Sequence, residues 1–351
     1  MTVHDAWNDR ALDLANWAWN VIVCRVDVWG GYYSNADGNI GPVTNPPKTS
    51  RGKAWLSKRV LQRHFAATSC RDIVGLHFGT PAPDSVTVCI AADLDVHSDD
   101  DDPALVSRFA FHVFHRLARI GYHPLLTGSN GKGGLHLREI FCNAIELPLA
   151  FRLARWMIRD WQEFGFSTAP EVYPKQAQLS PPGQPGEFGN WLRLPGRHHK
   201  REYWSEVWCQ QHARWLAGAD AVQAILNSQG DDPATLIQIV GDWQPHTPRP
   251  SAMQPIPVPD CQGGTRYGLA ALKAEADAVA SAPLSTRNST LNKAAFQCGQ
   301  LVGAGLLDHA GVELVLASAA CACGLEEKEI RGTIRSGIRA GMAKPRKVGS
   351  S

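Results

Sequence analysis

The run Val86-Thr-Val-Cys-Ile-Ala-Ala-Asp93-Leu-Asp95 constrains this chain most: it is an apolar, β-rich segment that ends in two carboxylates. Strand side chains alternate between faces. Asp93 and Asp95 therefore point the same way, while Val86, Val88, Ile90 and Leu94 fill the opposite face. Two like charges this close are costly unless something positive sits between them, and an oxygen-ligated divalent cation is the usual answer.

The flanking sequence places this strand in an α+β domain. Asp102-Pro103 is an N-cap and first-turn pair, and the helix it opens carries Leu105, Phe109, Val113, Phe114 and Leu117 at helical spacing. The acidic residues from Asp99 to Asp102 favour the positive end of that helix dipole. Pro124–Thr127 and Gly134–Phe141 read as short strands joined by the turn Gly128-Ser-Asn-Gly-Lys-Gly133. Residues 147–165 read as a second helix, Pro170-Glu-Val-Tyr-Pro as a further strand, and Asn190–Pro195 as a segment beyond a Pro/Gly loop. Nearer the start, a helix or turn segment leads into a strand over Trp19–Asp27 and then a Gly/Pro/Asn-rich loop from Gly30 to Pro47. Strands alternating with helices, with hairpins among them, predict a mixed sheet.

Proline, glycine and glutamine then accumulate, which divides the chain into a domain over 1–227, a linker over 228–265, a helical domain over 266–342 and a basic flexible tail over 343–351. In the helical domain Leu291, Ala294, Ala295, Cys298, Leu301 and Val302 share one face. A second helix runs from Val312 to Cys323 and is closed by Gly324. A third starts near Glu326 and carries Arg331, Arg335 and Arg339 as one basic stripe.

The 351 residues have a formal net charge of only +2, so any basic surface must be local. One such stretch runs from Gly38 to Arg71 without a single acid. It holds Arg51, Lys53, Lys58, Arg59 and Arg63, with Trp55 interleaved, and suits a nucleic-acid backbone with base stacking. The nine cysteines form no CxxC pair and no zinc-ligand spacing, so no zinc is expected and a reducing cytoplasm is. Asp5, Asp9 and Arg10 precede any apolar stretch, which argues against a signal peptide, and no run of 18 apolar residues predicts a membrane span.

In the 134–141 strand, Gly134, His136 and Arg138 share a face. If that strand lies beside the 85–95 strand, His136 looks down on Asp93 and Asp95. The turn before it, with Ser129 and Lys132, offers backbone amides and an ammonium that suit a triphosphate.

Taken together, Asp93-Leu-Asp95, Ser129-x-x-Lys-Gly-Gly-Leu-His136, Pro-Glu171-Val-Tyr-Pro-Lys175 and Gly-Asn190-Trp-Leu-Arg193-Leu-Pro resemble the archaeo-eukaryotic primase superfamily, in particular the primase-polymerases of phages, plasmids and mobile elements. The resemblance covers roughly residues 20–215. It implies an RRM-like sheet in the catalytic core, followed by a small all-α domain like the helical domain that often follows such cores. It also implies that Asp93, Asp95 and Glu171 hold two Mg²⁺ or Mn²⁺ ions. His136 would contact the phosphates of an incoming NTP or dNTP, with Ser129, Lys132, Lys175, Asn190, Arg193 and His198 around the nucleotide. The partners that follow are a single-stranded DNA template and, since no Walker A motif is present, either a replicative helicase on a separate chain or no helicase at all. The cellular setting would be the cytoplasm of a prokaryote or of a phage host. The rival readings are a metal-dependent replication-initiation nuclease, which would want a tyrosine nucleophile near a His-x-His pair, and a non-catalytic nucleic-acid-binding initiator.

Overall fold

The computed structural model describes residues 2–35, 38–44, 55–95, 102–166, 168–181, 184, 186–243, 264–282, 286–325 and 327–346. The chain forms two compact units, Met1–Pro245 and His246–Ser351.

In chain order the first unit contains α1 (Val3–Asp9), α2 (Ala11–Val21), β1 (Gly31–Ser34), β2 (Ile40–Val43), α3 (Lys58–Phe65), β3 (Gly75–His77), β4 (Val86–Leu94), α4 (Pro103–Arg119), β5 (Leu125–Gly128) and β6 (Leu135–Glu146). It continues with α5 (Leu147–Met157), β7 (Glu171–Tyr173), β8 (Trp191–Arg193), β9 (Val207–Cys209), β10 (Arg214–Leu216), α6 (Gly218–Asn227) and α7 (Ala234–Val240). Six strands make the main sheet, in the order β10-β9-β5-β6-β4-β7, and every ladder in it is antiparallel. This corrects the expectation of a mixed sheet. The crossover β4–α4–β5 does leave its two strands parallel to each other, but they are not neighbours. β6 returns from β5 through the 129–134 turn and inserts between them, antiparallel to both.

Strand β4, between β6 and the edge strand β7, is buried on both faces. Ile90, Ala92 and Leu94 face a core built with α4, α5 and α7, through Val106, Phe109, Val113, Leu153 and Leu236. Cys89 and Ala91 face a second core with α2, α3 and α6, through Leu14, Trp17, Leu61, Phe65 and Ile225. Asp93 continues the Cys89–Ala91 face to the end of the strand. Asp102 caps α4 by accepting from the Ala104 amide, with Pro103 in the first turn, as its sequence requires. The acids from 96 to 101 lie outside the described residues.

Four other expectations change. The β-branched run after Trp19 forms no strand: α2 continues through Val21, because Ala11, Leu14, Ala15 and Ala18 keep a helical stripe buried. The Gly30–Pro47 loop holds the hairpin β1–β2. The helix expected over 147–165 stops at Met157 and is followed by a short 3₁₀ turn, Trp161–Phe164, which ends at Gly165 in the left-handed conformation. The linker does not begin at 228. Residues 228–243 belong to the first unit, where Asp231 donates to and accepts from the edge of β6 and α7 buries Leu236 and Val240. Residues 244–263 lie outside the described residues.

The second unit is helical: α8 (Arg266–Ala280), α9 (Arg287–Gly303), α10 (His309–Ala322) and α11 (Glu327–Met342). The predicted stripe of α9 is buried from Leu291 to Leu301. Gly324 ends α10 at φ +84°, with the Gly324 amide donating to the Cys321 carbonyl at 2.9 Å and the Leu325 amide to the Ala320 carbonyl at 3.0 Å, a Schellman closure. On α11, Ile330, Ile334 and Ile338 face the core, while Arg331, Arg335 and Arg339 are exposed. Among the described residues no helix is long and apolar enough to cross a membrane, and no cysteine is in a disulfide.

Candidate active site

The sheet register assembles the site. Asp93 on β4 is paired with His136 on β6 on one side and with Glu171 on β7 on the other. Directly opposed residues share a face, so the three form a row across three strands. Asp93 and His136, but not Glu171, line an open, polar cleft of about 590 Å³, which also takes in Asp95 just past β4, Ser129 and Asn130 from the β5–β6 turn, and Arg193 from β8. Tyr32, Trp191, His198 and His199 line its far wall, with Tyr32 and His199 stacked at 3.9 Å between ring centres.

His136 is almost wholly buried, and its Nε2 stands 3.3 Å from Asp93 Oδ1. Arg138, fully buried below it, donates to the Arg193 carbonyl and to Thr127 Oγ1, and its Nη2 lies 3.3 Å from His136 Nδ1. A guanidinium only donates, so Nδ1 acts as acceptor and the ring proton sits on Nε2, the nitrogen that faces Asp93. Burial pushes the His136 pKa down to about 4, against the pull of Asp93, so the imidazole is neutral at neutral pH. Burial would raise the Asp93 carboxyl, but His136, Arg193 and Arg138 outweigh it and hold it below the ordinary value. Burial also lowers Arg138, to about 10, and lowers Arg193. Arg193 is clamped by donating to the Ser129 carbonyl and, at 3.3 Å, to the Arg197 carbonyl. The cleft is therefore lined by the buried Arg193 and a neutral imidazole beside the paired carboxylates, with Arg138 packed behind His136.

These donors fit a divalent cation in part. Asp93 Oδ1 is buried with no aligned hydrogen-bond donor, and Asp93 and Asp95 supply hard oxygens on one wall. Glu171 is differently placed. Its half-exposed carboxylate lies 2.6 Å from Lys175 Nζ and accepts from the Tyr173 hydroxyl at 3.3 Å. Among the described residues no three His, Cys, Asp or Glu side chains are grouped to hold a metal. Two carboxylates completed by phosphate oxygens and water is an ordinary magnesium arrangement.

Of the residues singled out from sequence, Asp93, Asp95, Ser129, His136, Arg193 and His198 meet in the cleft. Lys132 is exposed on the turn, Lys175 is bound to Glu171, and Asn190 is exposed, with its carbonyl accepting from the Phe78 amide. None of these three lines the cleft. Lys58 opens α3 on an exposed face beside the exposed Trp55, whereas Arg51 and Lys53 lie outside the described residues. Arg331, Arg335 and Arg339 belong to the second unit. Sequence reasoning missed Tyr32, Asn130, Trp191 and His199. Only Asn130 left a signal, as the polar residue inside the glycine turn.

No family model matches the chain, and no curated protein matches it. Among solved structures it is similar to the crystal structure of primase RepB', at 13% identity and a TM-score of 0.31, over 95% of this chain and 98% of that one. A likeness that small carries no argument about this chain.

Proposed function

We propose that this protein is a nucleotidyltransferase that primes and extends DNA on a single-stranded template, using NTPs or dNTPs. The observation that carries the reading is the row Glu171–Asp93–His136, with Asp95 beside it and Arg138 and Arg193 beneath. Asp93 and Asp95 would hold Mg²⁺ or Mn²⁺, with Glu171 the third acid of a two-ion site. When bound, the ions would activate a 3′-hydroxyl and neutralise the departing pyrophosphate.

The chain's own residues do the rest. The neutral His136, its tautomer fixed by Arg138, holds its Nε2–H beside Asp93 and packs its ring against the triphosphate. Arg193, held by two carbonyls, sets positive potential at the cleft floor where negative charge builds. Ser129 and the amides of the turn, with Lys132, His198, Lys175 and Asn190 nearby, receive the rest of the nucleotide. Trp55 with Lys58, Arg59 and the neighbouring Arg51 and Lys53 binds template by stacking and phosphate contact. Arg331, Arg335 and Arg339 add a second basic stripe. A separate helicase and a cytoplasmic setting accompany this reading.

Product analysis on a single-stranded template with labelled NTPs or dNTPs and Mg²⁺ or Mn²⁺ tests it. New, longer strands are expected. Cleaved strands would instead identify a nuclease, and unchanged strands a binding protein.

A further inference from the structure

Asn130 belongs to the turn between β5 and β6, yet the residue is buried, with a relative exposure of 8%. Every polar atom of the amide is engaged. Oδ1 accepts from the Lys132 amide at 2.8 Å and from the Gly134 amide at 3.0 Å, while Nδ2 donates to Asp95 Oδ1 at 2.6 Å. The turn is itself anchored from outside, by Arg193 on the Ser129 carbonyl and by Arg201 on the Asn130 carbonyl at 2.9 Å. Asp95 lies beyond the last residue of β4, where no ladder fixes its direction.

We infer that Asn130 is a positioning residue for Asp95, coupling the orientation of that carboxylate to the turn that carries the nucleotide's phosphates. The inference rests on the proposal that Asp95 holds a divalent cation. Gly134 supports it independently. A Cβ there would stand 2.4 Å from both Asn130 Nδ2 and Asp95 Oδ1, so the turn leaves room for this contact and for nothing larger. An amide serves where a hydroxyl does not, because one end must accept from two backbone N–H groups while the other donates to a carboxylate. Hydrogen bonds from such an outer partner set the aim and basicity of a metal-binding carboxylate, and removing one typically weakens metal binding tenfold or more.

The test is Mn²⁺ binding to the full-length protein without nucleotide, followed by electron paramagnetic resonance, for the wild type, Asn130→Ser, Asn130→Ala and Asp95→Asn. Serine keeps a short acceptor for the turn but cannot reach Asp95. The expected result is that both Asn130 variants bind Mn²⁺ about tenfold or more weakly, while Asn130→Ser melts within a few degrees of the wild type. A folded Asn130→Ser protein that binds Mn²⁺ as tightly as the wild type overturns the inference. An Asn130→Ser chain that fails to fold overturns it too, since the amide is then only a scaffold for the turn. If the wild type binds no Mn²⁺, or Asp95→Asn binds it unchanged, the metal reading of the site fails instead.

Discussion

Asp93 and His136 face each other across the β4–β6 ladder, with Nε2 of the imidazole 3.3 Å from Oδ1 of the carboxylate. This pairing places a proton donor and an anionic oxygen at the same end of the sheet, above two buried arginines.

Arg193 is buried and held by two backbone carbonyls. Lysine offers a point charge in place of a planar fork and satisfies one of those carbonyls at most. Arg193→Lys is expected to lose about 2 kcal/mol of stability and to raise the KM for nucleotide. Urea unfolding and steady-state kinetics measure both, and an unchanged KM would remove Arg193 from the nucleotide site.

Glu171 and Lys175 form a partly exposed ion pair, which is worth about 1 kcal/mol or less. Glu171→Gln is therefore expected to leave the unfolding midpoint nearly unchanged while lowering nucleotide incorporation by at least about tenfold, if the acid joins the metal site. Full activity in Glu171→Gln would confine the site to Asp93 and Asp95.

Gly134→Ala introduces a methyl group 2.4 Å from Asp95 Oδ1 and 2.7 Å from Ser129 Oγ. Overpacking of this kind costs about 1–3 kcal/mol. Incorporation should fall more than stability does, because the displaced atoms belong to the cleft. Parallel thermal melts and incorporation assays decide it.

His64 sets an acid limit on the fold. It is fully buried, with Nδ1 accepting from the Val74 amide at 2.9 Å and Nε2 paired with the Pro195 carbonyl at 3.0 Å, an arrangement that needs the neutral ring. Burial holds its pKa at about 4, below the ordinary 6.5. The folded state therefore binds the proton more weakly than the unfolded chain does. Stability is complete above about pH 6.5 and falls as the pH drops toward 4, by about 3 kcal/mol for this residue alone. Burial depresses His77 in the same direction. Urea midpoints at pH 7, 5.5 and 4.5 should decline in the wild type and decline less in His64→Gln.

Much of the site was legible because it follows strand alternation. Asp93 at the end of an apolar strand and His136 two residues after Gly134 needed only the correct neighbour, and β6 provides it. Helix periodicity likewise located α4 and, in the second unit, α9, α10 and α11, but not α8. What escaped depends on contacts between distant segments. Tyr32 and Trp191 reach the cleft from a hairpin and from a two-stranded sheet outside the main one, and neither carries a periodic pattern. The sheet order escaped because insertion of β6 between β4 and β5 is a choice of topology, to which composition is blind. Asn130 reads as an ordinary turn residue until Asp95 is seen 2.6 Å away.

The most direct test of the central claim is unprimed synthesis on a defined single-stranded DNA template with labelled nucleotides and Mg²⁺ or Mn²⁺, comparing the wild type with Asp95→Asn. Asparagine still accepts from Asn130 through its own carbonyl oxygen, so the variant should fold and bind DNA like the wild type. New strands from the wild type and none from Asp95→Asn are the predicted result. Undiminished synthesis by a folded Asp95→Asn protein would contradict the assignment of this cleft as a metal-dependent nucleotidyltransferase site.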